Sequence, residues 1–230
     1  MEAALDLPPL LTAHATTDAP LGVAVARAAA GADPGTLVHR AGEDRAEAAL
    51  ILAPEVPLAD AMVAVICAGC GFVDAFGALA PSEIAAEVDW PGTLRINGAV
   101  AGGIAAAAST RDPAAEPDWL VVALDVAMRL PKGAEPGADP DRTALAEEGC
   151  ADLTARRMIE AWARHTTYWL HDWAADGPAA AHRHWTARAW GLGRAGAAGT
   201  PLGLDEQGGL LIKSADGTRT LPLTGMLEDG

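Results

Sequence analysis

Lysine is almost missing from this chain of 230 residues: Lys132 and Lys213 stand alone against fourteen arginines. A mechanism that needs a lysine has only these two to draw on. Basic charge as a whole is short, with 16 Lys and Arg against 31 Asp and Glu and a formal net charge of -15. That balance disfavours nucleic acid and anionic lipid as partners, because both reward a basic face. Three cysteines in a long chain do not make a disulfide framework. No long apolar run is free of charge: the best, residues 58–80, holds Asp60, Asp74 and three glycines, and reads as a buried helix rather than a membrane span. The opening MEAALDLPPLL has no basic stretch, so no signal peptide is expected. These absences lead us to expect a cytoplasmic protein. Also missing are a phosphate-loop motif, a Gly-x-Gly-x-x-Gly followed by a distant acid, Gly-x-Ser-x-Gly and His-Glu-x-x-His.

What is present suits a globular chain. Half of the residues are hydrophobic, enough for one large domain, or one domain with a small appendage. Residues 1–13 read as an extended lead. Thr16, Thr17 and Asp18 offer helix caps before an alanine-rich helix over 20–30. Short strands are expected over 36–40 and 47–54, then a long apolar helix over 57–78 with proline near its first position. Three strands follow, over 84–90, 93–97 and 100–107, and a strong one over 119–130. Residues 131–142, rich in Pro, Gly and Asp, read as a flexible loop. Residues 153–190 read as helical, broken at Asp176-Gly177-Pro178. Residues 191–199 have the composition of a linker, and the tail reads as short strands with turns near 206–208 and 216–217. This order predicts an α+β fold with a mostly antiparallel sheet packed with helices. The expected division is a main domain over 1–190 and a small β subdomain over 199–230.

Several local patterns have plain structural explanations. Cys67-Ala-Gly-Cys70 lies inside an apolar run and reads as two small hydrophobes in a buried helix. No further ligands at zinc spacing accompany it. His165, His171, His182 and His184 read as surface histidines, and no metal site is expected. Trp162, Thr166, Trp169 and Trp173 fall on one helical face and read as core. The stretch VDWPGTLRINGAVAGGIAAAA, residues 88–108, predicts a hairpin with small residues around Gly102-Gly103. Those glycines mark either close strand packing or the floor of a ligand pocket.

The order of these elements resembles the biotin/lipoate protein ligase superfamily. That family carries Lys-Trp-Pro-Asn-Asp and, after a gap, Lys, two residues, Gly and Ile. This chain has Asp89-Trp90-Pro91-Gly92-Thr93 and then Val100-Ala101-Gly102-Gly103-Ile104 at matching spacing. Thr16-Thr17-Asp18 resembles a Ser-Thr-Asn helix start, and Trp119–Val126 resembles a later family strand. Thr143–Gly149 resembles Thr-Ser-Leu-x-Glu-x-Gly, Trp185–Gly193 resembles Trp-x-x-Arg-x-x-x-Leu-Gly, and Gly199–Gly225 resembles a small C-terminal β domain of SH3-like type. The resemblance spans nearly the whole chain. It implies biotin, lipoate or ATP as candidate ligands, a carrier domain as candidate partner, and a homodimer. The candidate pocket residues are Thr16, Thr17, Asp18, His39, Arg40, Arg45, Trp90, Gly102, Gly103 and Ile104.

The departures bear on chemistry. The family activates a carboxylate as an acyl-adenylate and passes the acyl group to a carrier lysine. Its Gly/Arg-rich adenylate loop is reduced here to Ala-Gly-Glu-Asp-Arg over 41–45. The motif lysine falls at Val100, the Asn-Asp pair at Gly92-Thr93, and the Lys before Trp-Pro at Asp89. Losing such donors typically costs orders of magnitude in rate. Three readings follow: a diverged member, a pseudoenzyme that keeps an acyl or nucleotide pocket; an active ATP-dependent ligase or acyltransferase in which Arg40, Arg45 and Arg95 take over anion contacts; or a non-catalytic interaction protein. Cys150 is the remaining candidate nucleophile for the second.

Overall fold

The computed structural model describes residues 4–131, 133–134, 137–196 and 198–227. Lys132, in the expected loop, lies outside the described residues, and so do residues 135–136. Seven strands form one sheet: β1 (Thr12–Ala15), β2 (Thr36–Ala41), β3 (Arg45–Leu52), β4 (Ala86–Asp89), β5 (Thr93–Ile96), β6 (Ala99–Ala108) and β7 (Leu120–Ala127). Their order in space is β1-β2-β3-β7-β6-β5-β4. Only the β1–β2 pair is parallel. The expected α+β fold with a mostly antiparallel sheet is the one observed.

Strand alternation divides the core into two faces. On β3, Ala49 and Ile51 pack with Ala24 and Ala28 of α1 (Pro20–Ala29), whereas Ala46, Ala48 and Leu50 join the larger core on the opposite face. That larger core is built around α2 (Leu58–Ala61) and α3 (Val63–Leu79), covered by α4 (Ala155–Asp176) and α5 (Ala179–Ala187). α3 is apolar on nearly every side, as expected of a helix enclosed by others. The apolar stretch Leu58–Leu79 is 78% buried in its most hydrophobic window, so its sequence is accounted for by the core.

The α3–α4 contact is close. A Cβ at Gly71 would fall 2.8 Å from the Thr166 backbone nitrogen and 2.9 Å from its Cα, so glycine is what lets the helices meet. Trp162 is fully buried and donates from Nε1 to the Ala68 carbonyl at 3.1 Å. Trp169 donates to Asp74 Oδ2 at 2.8 Å, and His184 Nε2 lies 2.9 Å from Asp74 Oδ1. The tryptophan stripe is therefore core. Cys67 and Cys70 are buried, donating to the carbonyls of Trp169 and Ala181, and burial pushes the Cys67 thiol up to about 12. They are small hydrophobes, as their surroundings suggested.

β8 (Thr200–Leu204), β9 (Leu210–Ser214) and β10 (Gly217–Leu221) form a separate antiparallel sheet at the C-terminal end. Leu223, just after β10, is buried in the main core. Trp90 Nε1 donates to the Gly208 carbonyl at 3.0 Å, and Gln207 Nε2 donates to Asp60 Oδ1 at 3.0 Å. These contacts dock the small sheet on the main body.

His182 on α5 is half-buried near this junction. Burial pushes its pKa below the ordinary 6.5, with Asp205 opposing the shift. Above 6.5 the ring is neutral whether the chain is folded or not. As the pH falls below that value, the unfolded chain takes up the proton first, so stability falls until the folded ring also protonates. We expect His182→Gln to flatten the dependence of unfolding free energy on pH below 6.5. Urea titrations at a series of pH values measure it, and an unchanged slope would show that His182 contributes nothing there.

Candidate functional site

A row of side chains crosses the sheet on the face that carries α1. The register pairs Arg40 of β2 with Glu47 of β3, Glu47 with Asp125 of β7, and Asp125 with Gly103 of β6. It continues from Gly103 to Thr93 of β5 and from Thr93 to Asp89 of β4. Cross-strand partners share a face, with Cβ atoms about 4.5–5.5 Å apart. Gly103 is the one position in this row without a side chain. Together with Glu47, Asp125, Ala105, Ala123 and the first residues of α1, it lines a cleft of about 200 Å³.

The electrostatics of this row differ from those of a phosphate site. Glu47 and Asp125 face each other directly, a repulsive arrangement unless each is neutralised. Arg40 neutralises Glu47 through two bonds, Nε to Oε2 at 2.5 Å and Nη2 to Oε1 at 2.7 Å. Such a bidentate pair is the strongest geometry open to these groups, and Glu47 holds the Arg40 guanidinium above its ordinary pKa. Arg45 donates from Nε to Asp125 Oδ1 at 2.7 Å. Arg95 lies 3.2 Å from Asp89 Oδ2 and donates to the Gly98 carbonyl at 2.9 Å. Each arginine considered for anion contacts is thus already held by a carboxylate of the same chain.

The sequence-derived residues divide by strand alternation. Arg40 and Gly103 lie in the row, and Arg45 projects from the same face. Thr17 joins them through its carbonyl, which accepts from Arg40 Nη1 at 3.0 Å. Thr16 Oγ1 accepts from the Asp18 backbone nitrogen at 3.1 Å, shaping the turn into α1. None of these residues caps that helix. The cap is Ala19, without a side-chain bond, because Pro20 takes the first helical position. His39, Gly102 and Ile104 belong to the opposite face by alternation, Ile104 being buried in the larger core. Trp90 packs against that core too, and holds Gly208.

The two glycines now separate. A Cβ on Gly102 would run into the Asp125 carbonyl and lie 2.9 Å from Val126 Cα, so Gly102 serves strand packing. A Cβ on Gly103 would meet only the Gly92 carbonyl, at 3.4 Å, so its absence opens the cleft. Glu47 and Asp125 were not singled out in the sequence. Their signal was there: each is a lone acid inside a mostly apolar strand, RAEAALIL and LVVALDVA.

Among the described residues no cysteine, lysine or histidine lines the cleft. Val100, where the resembling family has its lysine, is tied by its backbone to Asp141 and Thr143. Cys150 is buried and its thiol is pushed up by burial, with Glu148 adding to the shift. Lys213 is on β9. Among the described residues no group of three or more His, Cys, Asp or Glu is placed to hold a metal ion. A larger cleft of about 990 Å³, bordered by α5 and the β8–β9 turn, shares no residue with the row.

A mostly antiparallel sheet with a small-residue cleft under one helix, and a second small β sheet at the C-terminal end, defines a biotin-ligase-like α+β protein. The chain belongs to the biotin/lipoate A/B protein ligase family, whose model matches residues 7–187. A biotin protein ligase-like protein of unknown function from Silicibacter sp. TM1040 is 45% identical, with a TM-score of 0.91, over 98% of this chain and 100% of that one. The biotin protein ligase of Aquifex aeolicus superposes with a TM-score of 0.72 at 15% identity, over 94% of each chain. That of Leishmania major, in complex with biotinyl-5-AMP, superposes at 0.53 and 16% identity over 93% of this chain and 99% of that one. At such identities the likeness to the two ligases is one of fold. No curated protein sequence matches the chain.

Proposed function

We propose that this protein binds a small acyl compound in the cleft over Gly103 and does not carry out the adenylation step of biotin ligases. The observation that carries the reading is the pairing of Arg40, Arg45 and Arg95 with Glu47, Asp125 and Asp89. Adenylate stabilisation needs cations free to face phosphate as charge develops. Here the cations face carboxylates, and a nucleotide would have to displace them. The cleft keeps what binding needs: an apolar floor at Ala105 and Ala123, an open position at Gly103 and a few polar groups at one end. Its volume of about 200 Å³ fits a short ligand, below the roughly 300–1,000 Å³ of pockets for drug-sized molecules. The test is thermal unfolding of the protein titrated with biotin, lipoate, octanoate and ATP. An acyl compound raises the midpoint, and ATP leaves it unchanged.

A further inference from the structure

We infer that the cleft measures the length of an unbranched acyl chain, admitting about six carbons, and that Val25 forms its closed end. The inference rests on the acyl-binding reading and adds the shape of the group that the cleft takes.

The floor changes along β6. On the face that carries α1, Gly103 and Ala105 are partly exposed, whereas Ala107, the next residue on that face, is only 3% exposed. β7 shows the same change in register: Asp125 is partly exposed, Ala123 is 6% exposed and Val121 is fully buried. Gly103, Ala105, Ala123 and Asp125 line the cleft, and Ala107 and Val121 do not. The floor therefore runs open from the row of Gly103 to the row of Ala105 and is covered one row further on. Gly103, with no side chain, leaves the mouth clear.

α1 supplies the roof. It starts over the row of Arg40, which holds the Thr17 carbonyl just ahead of the helix. From there it runs toward Val121, with Ala24 and Ala28 packed in the cluster that contains Ala49, Ile51 and Val121. One side of the helix faces β1, because Arg27 Nη1 lies 3.4 Å from His14 Nε2. The other side is turned to β6: Leu21 lines the cleft, and Val25 is its neighbour one turn on. Both pack against the cluster that holds Ala123 and Val121. A helical side chain reaches back over the turn before it. Leu21 thus roofs the open stretch, and Val25 comes down at its far end, where Ala107 is covered.

A blind apolar slot selects by length. Each methylene that enters it leaves water, and those beyond the end wall add nothing. Two residues of strand span about 7 Å. An extended hydrocarbon with C–C bonds of about 1.5 Å advances roughly 1.25 Å per carbon, so about six carbons fill that depth.

Isothermal titration with the straight-chain amides from propanamide to octanamide tests this, since an amide brings no charge to face Asp125. The expected result is an affinity that rises about fourfold with each added methylene as far as hexanamide and is level beyond it. In Val25→Ala the rise continues to octanamide, and in Ala105→Val it stops before hexanamide. The two substitutions act from opposite walls, so either one decides. A rise that continues through octanamide in the parent protein overturns the inference and leaves the acyl reading standing. So does a limit that either variant leaves in place, or binding of biotin or lipoate with no binding of any amide. Failure of every acyl compound, the amides included, overturns both.

Discussion

Trp162→Ala lowers the unfolding free energy by about 3–5 kcal/mol, the range for removing a large aromatic from a packed core. Trp162 is fully buried, on the line where α4 crosses α3. Its removal leaves a cavity that Gly71 and Thr166 cannot close, because the helices already touch there. It also removes the bond that the indole donates to the Ala68 carbonyl. In a domain of this size each kcal/mol moves the melting midpoint by about 2–4 °C, so a fall of roughly 6–20 °C is expected. Differential scanning calorimetry measures it. A fall of less than about 2 °C, below 1 kcal/mol, would mean that the helical layer repacks freely and that the α3–α4 contact is not the centre of the core.

The second large effect separates two adjacent glycines. Gly103→Val abolishes ligand-dependent stabilisation while the folded protein persists. The new side chain enters the cleft between Asp125 and Thr93, and its Cβ has only a 3.4 Å contact with the Gly92 carbonyl to accommodate. Valine is also at home in a strand. Gly102→Val has the reverse character. Its Cβ collides with the Asp125 carbonyl, so β6 and β7 must part, at a cost of at least the ~1–3 kcal/mol typical of overpacking. Melting curves of both variants, with and without an acyl ligand, give the comparison. If Gly103→Val still responds to ligand, the cleft over Gly103 is not the site. If Gly102→Val melts like the parent, the two strands are looser than this packing implies.

Much of the architecture was legible because it is written in local patterns. Pro57 ahead of a long, mostly apolar run marks α2 and α3, and the spacing of Trp162, Thr166 and Trp169 marks the buried face of α4. Turn residues at Asn97-Gly98 mark the β5–β6 hairpin, where Asn97 and Gly98 both have positive φ. The caps of α1 were misread because Pro20 is compatible with the first helical position whatever precedes it. The site was legible only in part. Gly102, Gly103 and Ile104 are consecutive in sequence, but a strand shows only alternate residues to one face, so Gly103 alone meets the cleft. Glu47 and Asp125 stand 78 positions apart in numbering and become neighbours only because β7 inserts between β3 and β6. Strand order of that kind is set by the whole fold, and no window of sequence contains it.

The most direct test of the central claim is a thermal-unfolding titration with biotin, lipoate, octanoate, ATP and the matching acyl-adenylate analogues. A ligand that binds only the folded state raises the midpoint in proportion to the logarithm of its concentration over Kd. The expected result is a rise with an acyl compound, none with ATP, and no further gain from joining the acyl group to AMP, because Arg40, Arg45 and Arg95 stay with their carboxylates. A larger rise with an acyl-adenylate analogue than with the acyl compound alone, or a rise with ATP, would contradict it and show that the arginines exchange their internal partners for phosphate.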